Sequence, residues 1–128
     1  MLRLRRTHII GPELMAANFV KLDTLENLER LFAESHSRPV VLFKHSTSCG
    51  ISFGVYREVA TVGSDVNVVV IQTHREISNA IADRTGIRHE SPQAIVLECG
   101  RATYHASHYD IEAAHIEATI AGTDEVPC

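Results

Sequence analysis

The chain lacks several features that would each have assigned it a partner. It has no Lys/Arg-dense stripe: 12 basic residues stand against 16 acidic ones, a formal net charge of −4. Proteins that track phosphate backbones carry a concentrated positive footprint, so nucleic acid is not an expected partner. No apolar run approaches the roughly 20 residues that a membrane crossing requires, so a membrane is not expected either. There is no Cys-x-x-Cys pair, and the three cysteines, Cys49, Cys99 and Cys128, are an odd number. That count argues against a secreted disulfide framework and a structural zinc knuckle, and leaves at least one thiol unpaired in the monomer. No internal repeat or low-complexity segment interrupts the 128 residues. At 45% hydrophobic and 22% charged, they suit one ordinary soluble domain.

The one basic cluster is Arg3, Arg5 and Arg6, and Gly11, Pro12 and Glu13 follow before any apolar core of a signal peptide develops. The expected location is therefore cytoplasmic, with an uncleaved N-terminus; Arg without acidic residues before Glu13 is also the composition of a short import segment. Residues 1–18 show no sustained period and read as an N-terminal extension. From Phe19 the pattern sharpens. Phe19 to Leu22 can form a short strand, and Asp23 stands three residues before Glu26 in a capping-box-like arrangement. Leu25, Leu28, Leu31 and Phe32 then make a helical stripe that ends near Ser35. Val40 to Phe43 and Val66 to Ile71 are short apolar runs suited to strands buried on both faces. Between them, Cys49 to about Thr61 reads as a helix with Ile51, Val55 and Val59 as its inner edge, which makes a right-handed βαβ unit.

Glu76 to Thr85 predicts a further helix, capped by a left-handed Gly86. Gln93 to Glu98 then reads as a strand closed by Cys99-Gly100-Arg101, and a two-residue turn there would pair it with Ala102 to His105. A last helix is expected from Asp110 to about Ala121, with Ile111, Ala114, His115, Ala118 and Ile120 on its apolar side, followed by a flexible tail over 122–128. A parallel pair followed by an antiparallel hairpin, with helices to cover both faces, is the arrangement of a thioredoxin-like α/β domain. The expectation is a four-stranded mixed sheet over residues 19–121.

Chemistry concentrates in Lys44-His45-Ser46-Thr47-Ser48-Cys49-Gly50-Ile51-Ser52, where a strand gives way to a helix N-terminus. Unsatisfied N–H groups and the positive end of the helix dipole favour thiolate over thiol there. Alternation along the strand lets only one of Lys44 and His45 face that site. His45, ordinarily titrating near ~6.5, is either a pH-sensitive neighbour of the thiolate or a strand-end histidine bonded to backbone. Ser52 occupies the place of a second cysteine; its hydroxyl can donate to a thiolate but cannot close a disulfide. Cys49 could thus take over the small thiol of a mixed disulfide, and its release would need a thiol from outside. A second informative stretch is Arg88-His89-Glu90-Ser91-Pro92-Gln93, in which proline at a strand start suggests a special turn, with a cis bond among the possibilities.

These two blocks, together with Ala106-Ser107-His108-Tyr109-Asp110-Ile111, resemble the three signature blocks of the YtxJ-like monothiol bacilliredoxins, and the likeness runs from about Phe19 to Ala121. The resemblance implies a thioredoxin-like fold, Cys49 as the nucleophile that removes bacillithiol from S-bacillithiolated proteins, and a cis-Pro92 facing it. With the reading of the residues added, the expected site has Cys49, Ser52 and His45 in catalytic roles and substrate contacts at Ser48, Gly50, Ser91 and Pro92, with bacillithiol as co-substrate and no tightly bound cofactor or metal. Gly50 departs from the proline usual in that family. Cys-Gly-Ile-Ser also resembles the Cys-Gly-Phe-Ser of monothiol glutaredoxins, which share an Fe–S cluster between subunits; a third reading is a redox-inert scaffold.

Cys99 at a hairpin tip and Cys128 at the chain end are expected to be structural or exposed thiols, with Cys128 the one better able to reach Cys49 as a resolving partner. His105, His108 and His115 lack the i, i+4 spacing of paired helical ligands. Ser107 or Asp110 is expected to cap the last helix, and Glu58 and Glu90 are read as solvated carboxylates.

Overall fold

Among the described residues, five short strands are interspersed with four α-helices. The computed structural model describes residues 16–48, 50–122 and 128. The expected N-terminal extension up to residue 15, Cys49 and residues 123–127 lie outside the described residues. The strands are β1 (Asn18–Lys21), β2 (Val40–His45), β3 (Asp65–Val70), β4 (Gln93–Glu98) and β5 (Arg101–Ser107). The helices are α1 (Leu25–Glu34), α2 (Gly50–Val59), α3 (Arg75–Thr85) and α4 (Ala113–Ala121), with a 3-10 turn at His108–Asp110.

The sheet order is β1-β3-β2-β4-β5, with β1, β3 and β2 parallel and β4 and β5 antiparallel. It has five strands where four were expected. The addition is β1, the short strand read at 19–22, which joins the sheet by completing the free edge of β3 while its side chains stay mostly exposed. Central β2 is buried along its whole length: the apolar run Val40–Phe43 requires it, and Lys44 and His45 are buried with it. Leu28, Leu31 and Phe32 of α1 and Ile77 and Ile81 of α3 pack on Leu42, Ile95 and Leu97. Val55 and Val59 of α2 and Ala113 and Ile116 of α4 cover the opposite face, on Val41, Phe43 and Val96. Two apolar layers thus sandwich the sheet.

Local chemistry shifts several predicted boundaries. Thr24, rather than Asp23, caps α1, its hydroxyl accepting from the Asn27 N–H at 3.0 Å. Ile51 is exposed, and the buried position on that turn of α2 is Ser52. The last helix begins at Ala113, after the 3-10 turn; Ala114, His115 and Ala118 face outward, leaving Ala113 and Ile116 as its buried side chains. Ser107 makes no side-chain cap; Glu58 supplies one instead, accepting from the Ala113 N–H at 2.8 Å. Gly86 ends α3 at φ +77°, as expected. Cys99 and Gly100 form the two-residue turn between β4 and β5, both left-handed at φ +55° and +78°, which matches the twist of a hairpin.

The expected state of two cysteines is corrected. Cys99 and Cys128 are joined in a disulfide with a Cα–Cα distance of 5.5 Å. Neither carries a free thiol, and Cys49 is the one cysteine outside the pair. Wide spacing, 29 residues apart, hid the pairing from a reading based on local motifs.

Candidate active site

Parallel β2 delivers the chain to the start of α2, and its alternation assigns Lys44 and His45 to opposite faces. His45 points toward α2. It is 5% exposed, lies 5.0 Å from the Tyr56 ring and 5.5 Å from the Phe53 ring, and its Nδ1 is 2.8 Å from Ser52 Oγ. The Ser46 N–H donates to the same hydroxyl at 3.0 Å. Ser52 is fully buried, and these two contacts fix it at the third position of α2. Burial pushes the His45 pKa down, because the low-polarity setting disfavours the imidazolium, so the ring is neutral at pH 7. It supplies no cationic field to the loop; it supplies a hydrogen bond.

Ser48 and Gly50 flank Cys49 in sequence, and both are exposed. Gly50 opens α2, and a Cβ there would meet nothing within 4 Å. Sequence reading missed Gln72, just after β3. Its amide donates to Ser46 Oγ at 2.8 Å and Ser48 Oγ at 2.9 Å, while its carbonyl accepts from the Thr47 N–H at 3.2 Å. One side chain thus spans the whole turn ahead of Cys49. The only sequence signal was a polar residue directly following an apolar strand.

Ser91 and Pro92 precede β4, whose Gln93 pairs with Lys44, so the next antiparallel position sets Pro92 beside His45. The Ser91–Pro92 bond is cis, as expected. Pro92 is buried, and its carbonyl accepts from the His108 N–H at 2.9 Å, which links this turn to the third sequence block. The Ser107 hydroxyl draws the Glu90 pKa below the usual carboxylate range. The structure therefore brings His45, Ser48, Gly50, Ser52, Ser91 and Pro92 to one end of the sheet.

Lys44 faces the other way, toward α3. It is 1% exposed, and its Nζ donates to His89 Nδ1 at 3.1 Å; Ser78 Oγ lies 3.0 Å from the same nitrogen. No salt bridge among the described residues includes Lys44. Burial without a carboxylate pushes its pKa down to about 8. Desolvation and the Lys44 charge together lower the His89 pKa, which keeps Nδ1 free to accept. This buried cation was visible in the sequence only as one of two candidate neighbours of Cys49. Among the described residues no group of three His, Cys, Asp or Glu side chains could hold a metal ion.

Comparison with solved structures agrees with the topology. One described as having a thioredoxin fold superposes with a TM-score of 0.70 at 27% identity, over 80% of this chain and 93% of the other. A thioredoxin from Trypanosoma brucei brucei gives 0.67 at 12% identity, over 91% and 99%. A thioredoxin variant from Halobacterium salinarum NRC-1 gives 0.64 at 14% identity, over 93% and 99%. The last two are similar in fold alone. The family described as monothiol bacilliredoxin BrxC matches residues 20–116, a span that holds Cys49, Ser52 and Pro92. With the thioredoxin fold established and three quarters of its length matched, the chain belongs to the monothiol bacilliredoxin family.

Proposed function

We propose that this thiol oxidoreductase removes a low-molecular-weight thiol, bacillithiol or a close analogue, from protein mixed disulfides through Cys49. The observation that carries the reading is Ser52: buried and held by His45 and Ser46, it stands where a dithiol enzyme of this fold would keep its second cysteine. The remaining two cysteines are bonded to each other beyond β4.

Cys49 directly precedes the first residue of α2, and unsatisfied N–H groups at a helix start lower a cysteine pKa. Its thiolate attacks the sulfur of the small thiol in the mixed disulfide. A new S–S bond forms between Cys49 and that sulfur, the client–thiol bond breaks, and the client sulfur leaves with the electron pair and takes up a proton. A second small thiol then attacks the adduct, restores Cys49 and departs as a symmetrical disulfide. With His45 neutral and its proton on Nδ1, that N–H donates to Ser52, and the Ser52 hydroxyl proton is left to stabilise the Cys49 thiolate. Ser48, Gly50, Ser91 and Pro92 form the edge against which the client lies. A reducing, thiol-rich compartment such as the cytoplasm suits the second step.

The test is turnover of a bacillithiolated client with and without added bacillithiol. Without it, release should stop at one client per Cys49; with it, release should become catalytic. Catalytic release in the absence of external thiol would overturn the monothiol mechanism, and protein isolated as a brown dimer with iron would favour cluster binding.

A further inference from the structure

We propose that Cys99 and Cys128 form a second redox centre, independent of Cys49: a reversible disulfide latch that fastens the segment after α4 to the foot of the sheet. The two halves of the latch are held very differently. Cys99 is fixed by the frame, its N–H donating to Ser35 O at 2.8 Å while the Gly100 N–H donates to Ser35 Oγ at 2.9 Å. Ser35 is itself buried at the end of α1 and donates to Phe32 O. The left-handed turn is therefore in place with or without the disulfide. Cys128 is exposed and lies outside the helices and strands, and besides the disulfide its sulfur contacts His36 O at 3.5 Å. Breaking the S–S bond leaves Cys99 where it is and removes the covalent hold on Cys128.

Place in the fold makes this centre separate from the first. Pro92 and the Ser46–Gly50 turn lie at one end of β4, and Cys99 lies beyond the other end, six strand residues away. At about 3.3 Å per residue that is roughly 20 Å between Pro92 and the hairpin turn at Cys99. The disulfide also closes a loop containing β5, the 3-10 turn and α4, so it constrains the part of the chain that packs on α2.

Opening is ordinary exchange. The thiolate of a small thiol attacks the exposed Cys128 sulfur, the Cys99–Cys128 bond breaks, and the Cys99 sulfur leaves with the electron pair and is protonated. A second thiol attacks the mixed disulfide on Cys128 and departs as a symmetrical disulfide. Two small thiols are oxidised and the protein gains two electrons and two protons; the reverse closes the latch.

The experiment uses the full chain with Cys49→Ser, which separates it from the proposed catalysis. The protein is equilibrated with glutathione and glutathione disulfide over a range of ratios, quenched in acid, alkylated and weighed intact. One transition is expected, from no alkyl groups to two, with peptide maps linking Cys99 to Cys128 on the oxidised side. The oxidised form should melt roughly 10 °C above the reduced form, a gap absent from Cys99→Ser and Cys128→Ser. Two free thiols at every ratio, a bond that no thiol excess opens, or a link between chains would each overturn the proposal.

Discussion

Replacing Lys44 with methionine should make the protein more stable, although it deletes a hydrogen bond. Lys44 is 1% exposed, its ammonium donates to His89 Nδ1, and no salt bridge among the described residues includes it. Its pKa falls from 10.5 to about 8 on folding because burial penalises the charge. Each pH unit corresponds to about 1.4 kcal/mol, so keeping the proton on Lys44 below pH 8 costs the folded state about 3 kcal/mol. Methionine has similar length and no charge, and Ser78 remains to satisfy His89. Subtracting about 1 kcal/mol for the lost bond leaves an expected gain of about 2 kcal/mol at pH 7. The sign also fixes a pH signature. Between pH 8 and about 10.4 the unfolded chain binds more protons than the folded one, so wild-type stability gains a rising contribution across that window. The rise is complete above the unfolded pKa and is lost as pH falls through 8. Urea denaturation of wild type and Lys44→Met, both carrying Cys49→Ser so that no free thiol titrates, isolates the effect as a difference between two curves. If the curves run parallel from pH 7 to 10.5, the assignment of an uncompensated buried ammonium is wrong.

The lowered His45 pKa makes a second prediction: an NMR titration should find it titrating below a free imidazole, and its protonation should destabilise the fold, since stability is lost as pH falls through the folded pKa. A His45 that titrates at or above 6.5 would contradict its burial. Ser52→Ala would strip the Ser46 N–H and His45 Nδ1 of a buried partner, and should cost about 1–3 kcal/mol in urea denaturation. The same variant should slow alkylation of Cys49 at neutral pH; an unchanged rate would separate Ser52 from the thiolate. Gly100→Ala should destabilise by about 1 kcal/mol or more, because its φ is +78° and the new Cβ would meet His36 Nε2 at 3.1 Å. Equal stability would show that the turn rearranges.

Much of this architecture was legible because its signals are local. Apolar runs at 40–43 and 66–71 became β2 and β3, the Glu98-Cys99-Gly100-Arg101 tetrapeptide became a two-residue hairpin turn, and Gly86 ended α3. Strand alternation already separated Lys44 from His45, and the structure assigns His45 to the Ser52 side. What stayed hidden depends on residues distant in sequence. The strand read at 19–22 is present as β1, but its membership of the sheet depends on the β3 edge it completes, which no local pattern announces. Gln72 reaches the Ser46–Ser48 turn across 24 to 26 residues, and Lys44 finds His89 across 45. The Cys99–Cys128 bond joins a turn to the segment after α4, a pairing no spacing rule anticipates. On α2, a stripe of Ile51, Val55 and Val59 fits the helical period, yet the interior face at its first turn carries Ser52, because the polar contacts of the site take precedence over apolar burial there.

The most direct measurement is intact mass with peptide mapping after one encounter between the protein and a bacillithiolated client, quenched in acid. The account predicts a gain of one bacillithiol, mapped to Cys49, with the client freed as its thiol and the Cys99–Cys128 bond untouched. A bacillithiol mapped to Cys99 or Cys128, or client release that persists in Cys49→Ser, would contradict it.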